Sequence, residues 1–296
     1  MITVTTRANS TALTTVPAVK QMLGIEGTGE DAQIAVEIAA ASAAIESYCH
    51  RVFARQAITE LVKGYGGPYL MLGRAPVVRL GTILANSTDP ITDARLENAD
   101  AGLVYRKFNW DNTIQLGWTI GDTPLPGSED PFYSIDYSAG YLLPGDDVEG
   151  EMTISVDGPT KQFRTTETFP RTLVSGDVLV AEGFAIAANN GRFTVATAAA
   201  QAITVVETTL ATEAATEGLR FLRLCNLPAD VELAAREAVR DVRLARRRDA
   251  AIASRTVGDL SISYRDPRAL VGPAAPMTGG LPVDAALRLS PYVRAA

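Results

Sequence analysis

Two stretches of this chain repeat apolar residues at alternating steps of four and three, and almost everything between them repeats at two. In the first, Ile34, Ile38, Ala41, Ile45, Tyr48 and Val52 fall on one side of a 3.6-residue turn. In the second, Val231, Ala235, Ala238, Val242 and Ala245 do the same. Such seams must be covered, and seams of alanine and isoleucine let another helix approach closely. The spacing predicts helices over 31–52 and 229–252, and a shorter one over 16–23 closed by Gly24. Thr28 and Asp31 have the spacing of a capping box for the first long helix. Pro228 and Asp230 suit the start of the second.

Between the seams the chain reads as short strands. Over about 56–141 these are QAITELVK, PYLML, VVRLGTILAN, GLVYRK, TIQLGW and FYSIDYSAGY, separated by Gly, Pro, Asn and Asp. Trp110 and Trp118 fall here, and a small antiparallel sheet with one face on the helices is expected. Over 147–224 six more runs follow: EMTISV, KQFRTT, DVLVAEGF, GRFTVAT, AITVVE and LRFLRL. Asn189–Asn190–Gly191 reads as a hairpin turn, because these residues tolerate positive φ. Close strand spacing without a helix predicts an inserted all-β domain, sandwich or barrel-like. A short linker in its place should leave the rest folded if its ends lie close together.

After the second long helix, Val257–Tyr264 alternates as one β run. Residues 265–296 then carry Pro267, Pro273, Pro276, Pro282 and Pro291, which predicts an extended arm. The arm ends in an apolar hook of Leu281, Val283, Leu287, Leu289, Tyr292 and Val293. The expected fold class is therefore α+β: a helical core with a small antiparallel sheet, an inserted all-β domain and an extended C-terminal arm. The boundaries are 1–146 and 225–264 for the core, 147–224 for the insert and 265–296 for the arm.

Chemistry is sparse. The formal charge of −7, from 27 basic and 34 acidic residues, argues against a general polyanion binder. One histidine (His50) and two cysteines (Cys49 and Cys225) exclude a multi-histidine metal site, a four-cysteine zinc site and a disulfide framework. Cys49 and His50, adjacent at a helix end, point about 100° apart and cannot work as a pair. Asp146, Asp147, Glu149 and Glu151 lack calcium-loop spacing and read as a solvated linker. No phosphate-cradling glycine loop or nucleophile elbow occurs. No enzymatic activity, cofactor or metal is expected, and neither a secretory signal nor a membrane-spanning run is read. One charged feature stands out. Arg236, Arg240, Arg243 and Arg247 lie within about 60° on the second long helix. They suit an acidic partner or a phosphate backbone, or form a solvated face balanced by Glu232, Glu237, Asp241 and Asp249.

The order of motifs resembles one family. Ala44–Ile45–Glu46–Ser47–Tyr48 closes the first long helix, and Tyr137–Ser138–Ala139–Gly140–Tyr141 forms a strand and turn. Leu227–Pro228–Ala229–Asp230 opens the second helix, Val257–Gly258–Asp259 follows, and Leu281–Pro282 to Leu289–Ser290–Pro291–Tyr292 closes the chain. This order is similar to that of head–tail adaptor (connector) proteins of tailed double-stranded DNA phages and gene-transfer particles, over about 1–145 and 225–296. The resemblance departs at one place, where about 80 residues separate the A-G-Y turn from the L-P-A-D helix. It implies a ring, usually of twelve copies, under the portal protein in the virion neck, assembled in the bacterial host cytoplasm. Such a ring extends the channel for genomic DNA and presents a platform to a stopper or tail terminator. By position it assigns portal docking to Pro273, Pro276 and the hook, and subunit or channel contacts to the helices over 31–52 and 229–252, the second bearing Arg236, Arg240, Arg243 and Arg247. A carbohydrate- or surface-binding module would instead use the insert, whose aromatics are only Phe163, Phe169, Phe184, Phe193 and Phe221. An envelope hydrolase would need a carboxylate pair in a cleft.

Overall fold

The computed structural model describes residues 1–85, 88–110, 132–157, 160–214, 220–247, 254–257, 260–263 and 281–294, with backbone alone at 132, 245–247, 254–257 and 260–263. The TIQLGW run, Trp118, Pro273 and Pro276 lie outside the described residues. The fold is α+β with antiparallel sheets, and the chain divides into two compact units. One comprises Met1–Ser10 and Val52–Asn226, the other Thr11–Arg51 and Leu227–Ala296.

The first unit begins with eight strands: β1 (Ile2–Thr6), β2 (Gln56–Lys63), β3 (Tyr69–Met71), β4 (Val77–Ala85), β5 (Asp89–Pro90), β6 (Ala94–Asn98), β7 (Leu103–Arg106) and β8 (Phe132–Ala139). They form a five-stranded sheet, β1-β2-β8-β4-β5, and a three-stranded sheet, β3-β7-β6. β2 and β8 pair without interruption from Gln56↔Ala139 to Lys63↔Phe132. Their shared period of two turns Ile58, Tyr133, Ile135 and Tyr137 inward, where they meet Leu70 and Val104 of the smaller sheet around Trp110. Trp110 packs edge-on against Tyr133 at 4.9 Å and donates its indole N–H to the Pro68 carbonyl at 3.2 Å. Glu60 faces the same way and is satisfied there, accepting from the Tyr137 hydroxyl at 2.6 Å and the Gly73 amide at 2.8 Å. Burial and the neighbouring Glu60 push the Tyr137 hydroxyl well above its ordinary range. The core behind this sheet is thus built of strand and loop side chains rather than the expected helix residues. In the second sheet β3 and β7 stand where PYLML and GLVYRK place them, whereas β6 escapes the sequence pattern because Ala-Arg-Leu-Glu-Asn offers only Ala94 and Leu96 as apolar side chains.

Gly140, in the Tyr-Ser-Ala-Gly-Tyr segment, has φ +103°, and a Cβ there would sit 2.8 Å from the carbonyl oxygens of Phe53 and Ala54. Only glycine admits that approach. The neighbouring Tyr141 amide then donates to the Phe53 carbonyl at 2.7 Å, and the Arg55 amide to the Tyr141 carbonyl at 2.8 Å.

The remaining strands are β9 (Val148–Gly150), β10 (Met152–Asp157), β11 (Thr160–Thr165), β12 (Val178–Glu182), β13 (Gly191–Ala199), β14 (Ala202–Val205) and β15 (Arg220–Arg223). They form one sheet in the order β10-β11-β14-β13-β12-β15-β9. Every strand feeds a single core, through Val148, Ile154, Phe163, Leu179, Val195, Ile203 and Leu222. β12 and β13 are antiparallel neighbours, but the turn is not the expected Asn-Gly pair. The connection runs from Gly183 to Asn190 with a 3-10 turn at Ala187–Asn189, and Asn190 keeps φ −97°. Asn189 is held down instead, donating to the Ala211 carbonyl at 3.0 Å and to Glu213 at 2.8 Å. The acidic run at the start of this region is likewise no solvated linker. Asp146 is buried and accepts from the Leu143 amide at 2.8 Å, and Asp147 accepts from the Leu224 and Cys225 amides at 2.6 and 2.9 Å. Two of its carboxylates are consumed in bracing backbone. No group of metal-ligating side chains occurs among the described residues.

Two buried ion pairs organise this unit. Glu213 meets Arg220 at 2.7 Å and also accepts from the Ala185 and Ile186 amides, while the Arg220 guanidinium lies 4.8 Å from the Phe184 ring centre and donates to the Met152 carbonyl. Arg55, just before β2, gives Nη1 to both oxygens of Asp177, just before β12, at 2.7 and 2.6 Å. Arg55 is 1 % exposed. Asp177 also accepts from the Val174 amide at 2.8 Å.

In the second unit the helices are α1 (Val16–Leu23), α2 (Asp31–Cys49), α3 (Ala229–Arg247) and α4 (Val283–Leu289). Two further strands, β16 (Ser254–Val257) and β17 (Leu260–Ser263), pair antiparallel, so the expected single run is two strands. α1 starts at Thr15, whose side chain accepts from the Ala18 amide, and stops at left-handed Gly24. α2 has no capping box: its N-cap is Glu30 without a side-chain cap, and Asp31 pairs with Lys20 at 2.7 Å. It ends at Cys49, short of Val52, because His50 takes φ +50°. No described helix is long and apolar enough to cross a membrane.

Removing one partner of the Arg55–Asp177 pair leaves the other charge buried. Asp177→Ala or Arg55→Met should each lower stability by about 3–5 kcal/mol, and the double change should recover part of that, measured by denaturant unfolding. For the same reason, replacing 148–223 with a flexible linker strands Arg55, and a drop in midpoint or aggregation is expected rather than an intact core. Burial raises the Glu213 carboxyl, but bonds from Ala185, Asn189, Ile186 and Arg220 outweigh it and hold it below the usual carboxylate range. Its contribution is present above the unfolded-state pKa and disappears as pH falls through the lower folded-state pKa. Glu213→Gln should flatten the acid limb of stability against pH and lower the plateau at neutral pH.

Candidate interaction surface

The residues singled out in the sequence lie mainly on α3 and the C-terminal hook, both in the helical unit. Pro228 opens α3, and its carbonyl accepts from the Val231 and Glu232 amides at 3.0 and 3.3 Å. Val231, Ala234, Ala235, Ala238 and Val239 are buried on this helix. The seam ends there, for Val242 is 44 % exposed while the next residue, Arg243, takes the buried place.

The arginines divide. Arg236 pairs with Glu232 one turn earlier and reaches the Thr14 hydroxyl at 3.4 Å. Arg240 pairs with the adjacent Asp241 at 3.2 Å. Arg243 is buried between α3 and α2, bonded to Glu37 and, at 2.6 Å, to Glu30. Its bonds to Glu37 and then Glu30 hold its charge more firmly than usual against the cost of burial. Glu37, also buried, receives a further bond from Gln33 at 3.1 Å. The side chain of Arg247 lies outside the described residues. A stripe that reads as one charged face thus contains a buried tie between two helices, a role which periodicity cannot separate from its exposed neighbours.

The hook is helical where an extended arm was expected. Its prolines do not forbid this: Pro282 is the N-cap of α4, and Pro291 lies in the first turn of a 3-10 helix at Ser290–Tyr292, where a missing N–H costs little. Leu281, Ala285 and Leu289, four residues apart, form a buried seam with Ala286. The Tyr48 hydroxyl donates to the Ala286 carbonyl at 3.3 Å, the Arg294 amide to the Cys49 carbonyl at 3.0 Å, and Arg288 pairs with Glu237 at 3.4 Å. Half of the hook therefore belongs to the helical unit itself. The other half faces outward: Leu287 is 62 % exposed, and Val283 and Val293 are also exposed. Tyr292 is half-buried, and burial followed by the nearby Asp230 pushes its hydroxyl upward. Under the hook Cys49 is buried, which pushes its thiol to about 11 and leaves it inert as a nucleophile.

In the β unit, Phe163, Phe169, Phe184 and Phe193 are buried in the core of the seven-stranded sheet, so they supply no stacking platform. Against truncation, Arg243→Ala should cost about 3 kcal/mol because it leaves Glu37 buried without its counter-charge. Arg240→Ala should cost under about 0.5 kcal/mol, both compared by thermal unfolding.

Residues 12–130 match the family model described as head completion protein. Comparison with curated proteins gives no match. Two solved structures show partial likeness. The neck of an empty gene transfer agent particle, computed with C6 symmetry, is 22% identical over 49% of this chain and 76% of that chain, with a TM-score of 0.34. The virion of the native gene transfer agent particle is 23% identical over 49% of this chain and 77% of that one, with a TM-score of 0.32. The resemblance to neck adaptors carried by the ordered motifs is joined, over residues 12–130, by similarity to the head completion proteins.

Proposed function

We propose that the chain is a non-catalytic structural adaptor of the neck of a tailed-phage or gene-transfer particle. In this reading it forms a ring of twelve copies beneath the portal protein, lengthens the channel through which genomic DNA passes, and offers a platform to the next neck or tail protein. It resides in the virion neck and is assembled in the host cytoplasm. The observation that carries the reading is the head completion protein match over 12–130, in a chain whose other motifs keep the order of neck adaptors. The hook supports it physically. A helix anchored by Leu281 and Leu289 while displaying Leu287, Val283 and Val293 presents a rigid apolar contact at little ordering cost. Residues 147–224, carrying ten acidic and six basic side chains, are an accessory β module in this reading, and the portal contact falls to the outward half of the hook.

The structure changes which test is clean. Deleting 273–296 would strip buried residues from the helical unit, whereas Leu287→Asp with Val293→Asp alters exposed positions only. These substitutions should change stability by less than about 1 kcal/mol. They should also abolish co-purification with the portal protein and incorporation into particles. Unchanged incorporation would remove the hook from the contact. A tag on this chain seen by electron microscopy away from the neck would overturn the reading as a whole.

A further inference from the structure

In the β unit, two surface cavities share Thr5 and together make a groove. One, of about 390 Å³, crosses the outer face of the five-stranded sheet past Ala57, Thr59, Arg79 and Asp136. The other, of about 540 Å³, continues past the end of β1 between Arg7 and Arg171. Arg7, Arg79 and Arg171 are all exposed, and none of their side chains has a hydrogen bond or ion pair among the described residues. The only carboxylate lining either cavity, Asp136, already accepts from the Thr59 hydroxyl at 2.6 Å. In a chain of net charge −7, whose other described arginines are largely paired, three unpartnered guanidiniums along one groove are a local reversal of sign. The loop that brings Arg171 to the groove ends at Asp177, which Arg55 clamps from below.

We propose that this groove binds an extended acidic peptide segment of a partner protein. Three features select that occupant. Guanidinium forks match carboxylates two bonds at a time. Small residues make up much of the rest of the lining (Thr5, Ala57, Thr59, Gly81 and Ser138, beside Ile58, Tyr137 and Val174), which leaves the backbone of an extended chain room to lie flat. The two cavities have volumes in the range that holds small ligands or a few residues, whereas a DNA duplex needs a broad positive face. The inference is independent of the neck reading, since it concerns the β unit and the hook test concerns the helical unit.

The experiment titrates the full-length protein with a fluorescent peptide of alternating glutamate and threonine. A lysine–threonine peptide and a single-stranded oligonucleotide of equal length serve as the other arms. Binding of the acidic peptide, weakening with salt, is expected. It should fall about tenfold or more in the triple variant Arg7→Ala, Arg79→Ala, Arg171→Ala, and should persist in Arg192→Ala, which lowers net charge equally per residue outside the lining. Circular dichroism and the unfolding midpoint of the triple variant should match the parent. If the triple variant fails to fold, Arg79→Gln and Arg171→Gln taken singly must each weaken binding. No binding of the acidic peptide, equal binding by the arginine variants, or tighter binding of the oligonucleotide would each overturn the proposal.

Discussion

The β unit depends on the Arg55–Asp177 pair. A guanidinium taken out of water carries a large desolvation cost, which is offset only where a carboxylate meets it in good geometry and other donors complete that carboxylate. Here Arg55 reaches both oxygens of Asp177, and the Val174 amide completes the acceptor. The two residues are 122 positions apart. One leads into β2 of the five-stranded sheet, the other into β12 of the seven-stranded sheet, so the pair fixes where one sheet's entry strand stands against the other's entry loop. Glycine at 140 is part of the same junction, because a side chain there would push the turn off the carbonyls of Phe53 and Ala54.

The helical unit uses the same device at a different scale. Arg243 joins α3 to α2 across 206 positions of sequence, through a glutamate that would otherwise be an uncompensated buried charge. Apolar alanine-rich seams bring the helices close but specify register weakly, since small side chains interlock little. A bidirectional tie from Arg243 to Glu37 and Glu30 supplies a definite register. Both units are therefore closed by arginine–carboxylate contacts between distant segments, and in each the arginine is one that an inventory of surface charge would count as free.

These internal ties also sort the remaining charges and apolar residues by availability. Arg236 and Arg243 are committed within the helical unit, while Leu287 and its outward neighbours are not. In the β unit Arg220 and Arg55 are committed, while Arg7, Arg79 and Arg171 are not. Among the described residues, the outward half of the hook is thus an apolar surface of the helical unit, and the arginine groove a positive surface of the β unit.

Much of the architecture follows from periodicity. Helices α1, α2 and α3 and most strands, including six of the seven in the large sheet, stand where the four–three seams and the alternating runs place them, because side-chain period alone decides which backbone can bury a given pattern. The motifs that carried the resemblance were legible for related reasons: Gly140 occupies a backbone position that only glycine admits, and Pro228 suits the start of a helix. Strands β1, β5, β6 and β9 were not legible, being short and polar edge or near-edge elements that gain their pairing only from a sheet already formed. The Asn-Gly signal misled because Asn189 found better partners in Ala211 and Glu213 than a two-residue turn offers. Prolines misled in the hook because a helix admits them in its first turn. Which arginines and carboxylates are buried was beyond the sequence, since Arg236 and Arg243 look alike along the chain. Only the tertiary structure, which brings Glu37 beside one and leaves the other at the surface, separates them, because the cost and the gain of burying a charge depend on neighbours supplied from elsewhere in the fold.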